Sequence, residues 1–118
     1  MHIIRKEFAF SASHCLDHLP KEHPCFRVHG HNYVVVVELR SSTLNEDGFV
    51  EDYRELDLVK NYLDLTLDHQ HLNNVLPIKP TAECIAKFLF LLFIKKIPEL
   101  YAIEVSETPK TNARYERS

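Results

Sequence analysis

The chain has only two glycines in 118 residues. That is too few for either common phosphate-cradling loop, so the nucleotide folds built on such loops are excluded. Cysteine is also sparse. Cys15, Cys25 and Cys84 are an odd set, which argues against a disulfide framework and for a reducing, cytoplasmic compartment. The longest apolar run, Phe88 to Ile94, has seven residues, far short of the roughly 20 that span a bilayer. No membrane partner is expected, and a buried helix is the better reading of that run. The N-terminal stretch Met1 to Glu7 shows no apolar region followed by a cleavage site, so no secretory leader is expected. Basic residues do not predominate. With 14 Lys and Arg against 17 Asp and Glu, no broad cationic surface is implied, which weighs against a nucleic-acid partner. Arg5-Lys6 and Lys95-Lys96 read as solvated faces.

What is present is an ordinary globular balance, 45% hydrophobic and 26% charged, enough for one domain over residues 1–118. From Glu7 to His14, Phe8, Phe10, Ala12 and His14 share one parity, and a period of two places them on one face of a strand. Cys15 to Arg27 is rich in proline, histidine and charge and reads as a loop carrying functional groups. A second strand is expected from Val28 to Arg40 around four successive valines, Val34 to Val37. Apolar side chains on both of its faces suggest that both are covered, one by helices and the other by a second subunit.

A turn-rich stretch from Ser41 to Gly48 ends that strand. Asp52 and Glu55 then form a capping-box pattern ahead of Leu56, Val59, Leu63 and Leu67, which recur at helical spacing. A loop is expected through Asn73, Pro77 and Pro80. Thr81 can cap a second helix that turns Ile85, Phe88, Leu89, Leu92 and Phe93 to the core, and Ile97-Pro98 stops it. Glu83 sits in its first turn, where the helix dipole favours a carboxylate. From Leu100 the alternation returns, with Tyr101, Ile103, Val105 and Glu107 on one face, and a short last strand is expected near Asn112 to Arg117. The order strand, strand, helix, helix, strand, strand predicts an α+β domain with an antiparallel sheet.

Eight histidines turn attention to metal and proton chemistry. In Cys25-Phe-Arg-Val-His29-Gly-His31, two histidines one residue apart on a strand project to the same face and can grip one ion. Gly30 leaves the opposite face without a side chain, where backbone or ligand can approach closely. His14, at the end of the neighbouring strand, is placed to be a third ligand. Three imidazoles with a fourth position open is the pattern of a catalytic zinc site, although imidazoles also suit iron and cobalt.

Cys25 has three readings: a half-buried thiol, a fourth ligand that closes a structural zinc site, or a thiolate that acts as a base. Asp68-His69 pairs a carboxylate with an imidazole, as a proton relay requires. Adjacent residues seldom pair directly, however, so a plain surface dipeptide is the alternative, and His71 is a substitute for His69. Glu107 sits on an apolar strand face, where it either accepts the N–H edge of a ligand or simply marks the strand end.

Taken together these residues resemble the tetrahydropterin synthase family. The matching segments, in order, are Phe10-Ser-Ala-Ser-His14, Cys25-Phe-Arg-Val-His29-Gly-His31-Asn32, Val50-Glu-Asp52-Tyr53, Leu67-Asp68-His69-Gln-His-Leu72-Asn73, Pro80-Thr81-Ala-Glu83 and Val105-Ser-Glu107-Thr108. They span nearly the whole chain. His71 and Lys79 depart from the commonest pattern. The resemblance implies a tunnelling fold, a four-stranded antiparallel sheet with two helices on one face. It also implies a homo-oligomer in which three subunits join their sheets into a barrel, two trimers stack into a hexamer, and active sites lie between subunits.

Position by position, the resemblance implies zinc on His14, His29 and His31, and Cys25 as the thiolate base. Asp68-His69 would be the proton relay, and Glu107, with Thr108, the anchor for the pterin's amino-pyrimidine edge. The implied substrate is 7,8-dihydroneopterin triphosphate. One branch of the family releases triphosphate and yields 6-pyruvoyl-tetrahydropterin. The other also cleaves the side chain, giving 6-carboxy-tetrahydropterin and acetaldehyde on the route to queuosine. The short chain resembles the carboxy branch. Two rivals are a non-enzymatic structural zinc module, with Cys25 completing the ligand set, and retro-aldol cleavage of dihydroneopterin on the same fold.

Overall fold

The computed structural model describes residues 1–118. Strand β1 runs His2–His14 and β2 His29–Ser41. A 3-10 turn, Tyr53–Leu56, leads into α1, Asp57–Tyr62, which continues as a π-helical turn, Leu63–Leu67. Then follow α2, Leu72–Val75, α3, Ala82–Phe93, β3, Leu100–Ser106, and β4, Ala113–Glu116. The four strands form one open antiparallel sheet in the order β1-β2-β3-β4. No helix is long and apolar enough to cross a membrane.

Alternation decides which face of the sheet is covered. Phe8, Phe10 and Ala12 of β1, Tyr33, Val35, Val37 and Leu39 of β2, and Ile103 and Val105 of β3 join one buried cluster with the helical residues. Leu56, Val59, Leu63 and Leu67 enter that cluster from the first helical segment, as their spacing predicts, and Ile85, Leu89 and Phe93 enter it from α3. Both helices therefore lie on the same face of the sheet. Thr81 caps α3, its hydroxyl accepting from the Cys84 N–H at 3.1 Å, an interaction worth about 1 kcal/mol.

Several details differ from the sequence expectations. In α3 the buried stripe takes in Ala86 and Phe90, while Leu92 is 40% exposed. The capping box is closed from another side: Asp52 accepts from the Arg54 N–H, but the Asp52 N–H donates to Glu51 and not to Glu55. The expected loop after His71 contains the single helical turn α2, which buries Leu72 completely. Tyr101 leaves the core face because the register shifts between Glu38 and Leu39, setting Leu100 opposite Leu39. Its ring lies under the Arg40 guanidinium at 3.7 Å.

The far face of the sheet is not the plain apolar surface that four valines suggest. Val36 is buried there, with Glu7 and Glu104 as its cross-strand neighbours. Two residues on, Glu38 accepts from Arg5 at 2.7 Å, Arg40 at 2.8 Å and Arg114 at 2.9 Å. Glu104 pairs with the same Arg5 and Arg114. The Arg114 guanidinium, followed by Arg40 and Arg5, holds the Glu38 carboxyl down to about 2, so this network ties β1, β2, β3 and β4 together.

A depressed folded-state pKa contributes stability above the unfolded value of 4.5 and loses it as pH falls toward 2. Replacing Glu38 with Ala leaves Arg40 without its carboxylate and Arg5 and Arg114 sharing Glu104, at a cost of about 2 kcal/mol once the exposure of the guanidiniums is discounted. Urea unfolding near neutral pH is expected to show that loss. The gap to wild type should shrink as pH falls below 4.5, and a pH-independent gap would contradict the assignment.

Candidate metal centre and active site

The antiparallel register of β1 and β2 sets His14 opposite His29 and Ala12 opposite His31. Because all three histidines share the core-facing parity, their rings meet at the end of the sheet. Ring centroids are 4.5 Å apart for His14–His29, 5.1 Å for His14–His31 and 5.0 Å for His29–His31. Their ligand nitrogens all lie within 4.8 Å of one another.

Backbone carbonyls fix two of the three tautomers. His14 Nδ1 donates to the Pro80 carbonyl at 2.7 Å, and His29 Nδ1 donates to the Arg27 carbonyl at 2.8 Å. With the proton held on Nδ1, each ring turns an Nε2 lone pair inward. Those two Nε2 atoms stand 2.9 Å apart, an arrangement of two acceptors that needs a cation or a proton between them. Burial also pulls His14 below the ordinary imidazole pKa and favours the neutral ligand form. Tetrahedral zinc with Zn–N of about 2.0–2.1 Å sets its ligand nitrogens roughly 3.3 Å apart. That spacing lies between the 2.9 Å His14–His29 approach and the 4.8 Å limit of the group, so small side-chain adjustments accommodate the ion, and the donor set fits zinc.

Glu107 follows β3 and sends its carboxylate to the same point, with Oε2 3.3 Å from His14 Nε2 and 3.7 Å from His31 Nε2. The sequence reading had not put Glu107 beside the triad. Glu107 and Thr108 also border a cavity of about 580 Å³, shared with His31, Asn32 and Ser106. The Thr108 hydroxyl is engaged within its own turn, accepting from the Lys110 N–H and contacting Thr111 Oγ1, each at 3.2 Å.

Cys25 lies in the 3-10 turn Pro24–Phe26, which the Leu16 N–H ties back by donating to the Cys25 carbonyl at 2.7 Å. It is half-buried and borders a cavity of about 390 Å³ together with His14, His29, His31 and Glu107. The converging donor group consists of the three histidines without the Cys25 thiol. A closed Cys-His₃ site, the basis of the structural-zinc rival, is therefore not the arrangement found.

Asp68 and His69 pair directly, His69 Nδ1 to Asp68 Oδ2 at 2.8 Å, despite being sequence neighbours. The geometry that permits it begins in the π turn, where the Asp68 N–H reaches back to the Leu63 carbonyl. Asp68 Oδ1 accepts from the Ser11 N–H at 2.8 Å. That bond first, and His69 second, hold the Asp68 carboxyl below its ordinary pKa. His69 itself has φ +60, a left-handed conformation uncommon outside glycine. His69 borders a third cavity, about 460 Å³, with Ser11, Ser13, His31 and His71. Cys25 does not line it, so within one chain Cys25 and His69 face different cavities, with His31 common to both.

Gly30 sits between His29 and His31 of the triad with its back to β1. A Cβ there would meet the Ala12 carbonyl oxygen at 3.3 Å, so a bare backbone keeps the two strands close beneath the third cavity.

Residues 3–118 match the family model described as 6-pyruvoyl tetrahydropterin synthase. The chain belongs to this family. Similar curated proteins in or near it include a 6-carboxy-5,6,7,8-tetrahydropterin synthase of Synechocystis sp., 39% identical over 98% of this chain and 93% of that one. A 6-pyruvoyl tetrahydrobiopterin synthase of Dictyostelium discoideum is 29% identical over 90% of this chain and 89% of its own. Among solved structures, the 6-pyruvoyl tetrahydropterin synthase of Caenorhabditis elegans superposes with a TM-score of 0.86 at 27% identity, covering 99% of this chain and 96% of that one. The family and the open four-stranded sheet with its helices thus agree with the fold that the resemblance implies.

Metal analysis of purified variants tests the ligand set. Wild type and Cys25→Ala are expected to hold equal zinc, and His31→Ala to lose it. Loss of zinc from Cys25→Ala would make the thiol a ligand.

Proposed function

We propose that this chain is a zinc-dependent 6-carboxy-5,6,7,8-tetrahydropterin synthase. It would convert 7,8-dihydroneopterin triphosphate and water to 6-carboxy-5,6,7,8-tetrahydropterin, acetaldehyde and triphosphate, a lyase step toward the deazaguanine of queuosine. The observation that carries the chemistry is the triad His14, His29 and His31, with the tautomers of His14 and His29 fixed by backbone carbonyls and Cys25 on its cavity. The choice of branch rests on the Synechocystis relative, whose identity exceeds that of the Dictyostelium one. The likeness to the C. elegans structure favours a second reading, elimination of triphosphate to the 6-pyruvoyl product. The same site residues serve both.

The three imidazoles would hold zinc, which supplies Lewis acidity at the substrate's side-chain hydroxyls. Glu107 accepts a pair of N–H donors from the amino-pyrimidine edge, a bidentate contact that fixes the ring's orientation. The Cys25 thiolate removes a proton from the side-chain carbon facing it. His69, with Nδ1 held by Asp68, moves a second proton at Nε2. The ionised Asp68 stabilises the imidazolium that results.

Cys25 and His69 of one chain border separate cavities. The proposed working form is therefore the family's hexamer, in which a neighbouring copy's Asp68–His69 completes the cavity bordered by Cys25. Outside the Ser11–Ser13 stretch that residues 68–71 cover, the outer edges of β1 and β4 are left available for that assembly. Residues 1–118 act as one unit in this reading, with no nucleic-acid or membrane partner. Three free cysteines are compatible with a cytoplasmic setting.

Mass spectrometry of products after zinc-loaded protein meets 7,8-dihydroneopterin triphosphate is the test. Carboxy-tetrahydropterin with acetaldehyde is expected. A pyruvoyl product would move the chain to the other branch, and release of glycolaldehyde from dihydroneopterin would indicate retro-aldol chemistry. Glu107→Gln, which loses one acceptor oxygen, is expected to raise KM roughly tenfold while keeping its zinc. Zinc loss instead would make Glu107 a ligand.

A further inference from the structure

We propose that His71, through its hydrogen bond to Ser13, is a positioning residue that holds His69 in the conformation from which its ring is presented. This rests on the reading of His69 as the proton-transfer group.

Residues 68–71 are attached to the outer edge of β1 by four bonds that straddle His69. Before it, the Ser11 N–H donates to Asp68 Oδ1 at 2.8 Å and the His69 N–H donates to the Ser11 carbonyl at 2.6 Å. After it, the Ser13 N–H donates to the Gln70 carbonyl at 3.1 Å, and Ser13 Oγ bonds His71 Nδ1 at 2.8 Å. Ser13 and His71 are also partners in a parallel bridge. The segment therefore lies along β1 as a short added strand, covering the edge where the metal ligand His14 follows.

Between the two pairs of bonds stands His69 at φ +60. A non-glycine residue stays in the left-handed region only where its surroundings over-determine it. The upstream side is held by two bonds at or below 2.8 Å, one of them accepted by a carboxylate. Downstream, the backbone bond is the longest of the four, which leaves the Ser13–His71 contact as the short tether. Without it, Gln70 and His71 are free to lift from β1 and His69 can relax to the right-handed region, carrying its exposed ring away.

His71 is well set for this. It is the N-cap of α2, anchored from behind by the fully buried Leu72. Its ring is half-buried and borders the same cavity as His69. Nδ1 carries its one hydrogen bond, and Ser13 sits on the strand face opposite His14, so the tether bears on the relay without taking part in the metal triad.

The test compares wild type, His71→Ala, His71→Asn, Ser13→Ala and the Ser13→Ala/His71→Ala double variant, all zinc-loaded. His71→Ala and Ser13→Ala are each expected to lower kcat roughly ten- to hundredfold, with KM within about twofold and zinc content unchanged. The double variant should be no slower than the singles, because one tether has been removed twice. His71→Asn, whose side-chain amide can reach the Ser13 hydroxyl, should recover most of the rate. Hydrogen exchange at the His69 amide should accelerate at least about tenfold in the alanine variants.

Unchanged kcat, losses that multiply in the double variant, or losses that track zinc content would each overturn the proposal. Should wild type turn over no pterin, the enzyme reading fails by itself. Amide exchange at His69 then decides the tether: acceleration upholds it and unchanged exchange rejects it.

Discussion

The antiparallel register between β1 and β2 is the constraint on which the rest depends. It sets His14 against His29, and the period of two carries His31 to the same face. A slip of one residue would turn every one of these side chains to the far face of the sheet. The register is held from both sides. On the core face, Phe10 stacks on Tyr33 with centroids 4.8 Å apart. On the far face, Arg5 pairs with Glu38, its cross-strand partner in the same register. Core packing and ion pairing thus specify one alignment, and the histidine triad is assembled as its consequence.

Strand parity was legible in the sequence because burial enforces it. Phe8, Phe10, Ala12 and His14 alternate as a half-buried strand must, and all four are buried. The helical stripe from Leu56 to Leu67 was equally legible, and its four apolar residues all reach the core. Less legible were features that depend on the backbone. The Pro80 and Arg27 carbonyls that fix the imidazole tautomers have no residue-type signature, since any residue offers a carbonyl. The π turn that delivers Asp68, and the left-handed His69, follow from how the helix meets the edge of β1, which composition does not encode. Ser11 and Ser13 fell within a recognised segment, yet their part in holding residues 68–71 was visible only once β1 had an edge to be covered. Four valines gave a misleading impression of a second apolar face, because periodicity around Val36 does not register the buried Glu38 and its three arginines.

The site residues divide according to how they are held. His14, His29 and His31 sit on the sheet, and the rings of His14 and His29 are fixed by the Pro80 and Arg27 carbonyls. Cys25 and Asp68–His69 come from the segments after β1 and after α1, each tied to β1 or its following loop by a few hydrogen bonds. The candidate metal ligands thus belong to the scaffold while the proposed proton-transfer groups ride on tethered loops, a division common where binding geometry must be fixed and reacting groups must adjust. It also accounts for the separation of Cys25 from His69 within one chain: each is placed by its own loop against a different side of His31.

The central claim is that the two backbone carbonyls prepare the histidine triad for metal before any metal arrives. Long-range ¹H–¹⁵N correlation spectra of the histidine rings in metal-free protein test this most directly. The account predicts that His14 and His29 are neutral with the proton on Nδ1, and that adding zinc shifts Nε2 while Nδ1 stays protonated. Spectra showing His14 or His29 protonated on Nε2 in the metal-free state would contradict it.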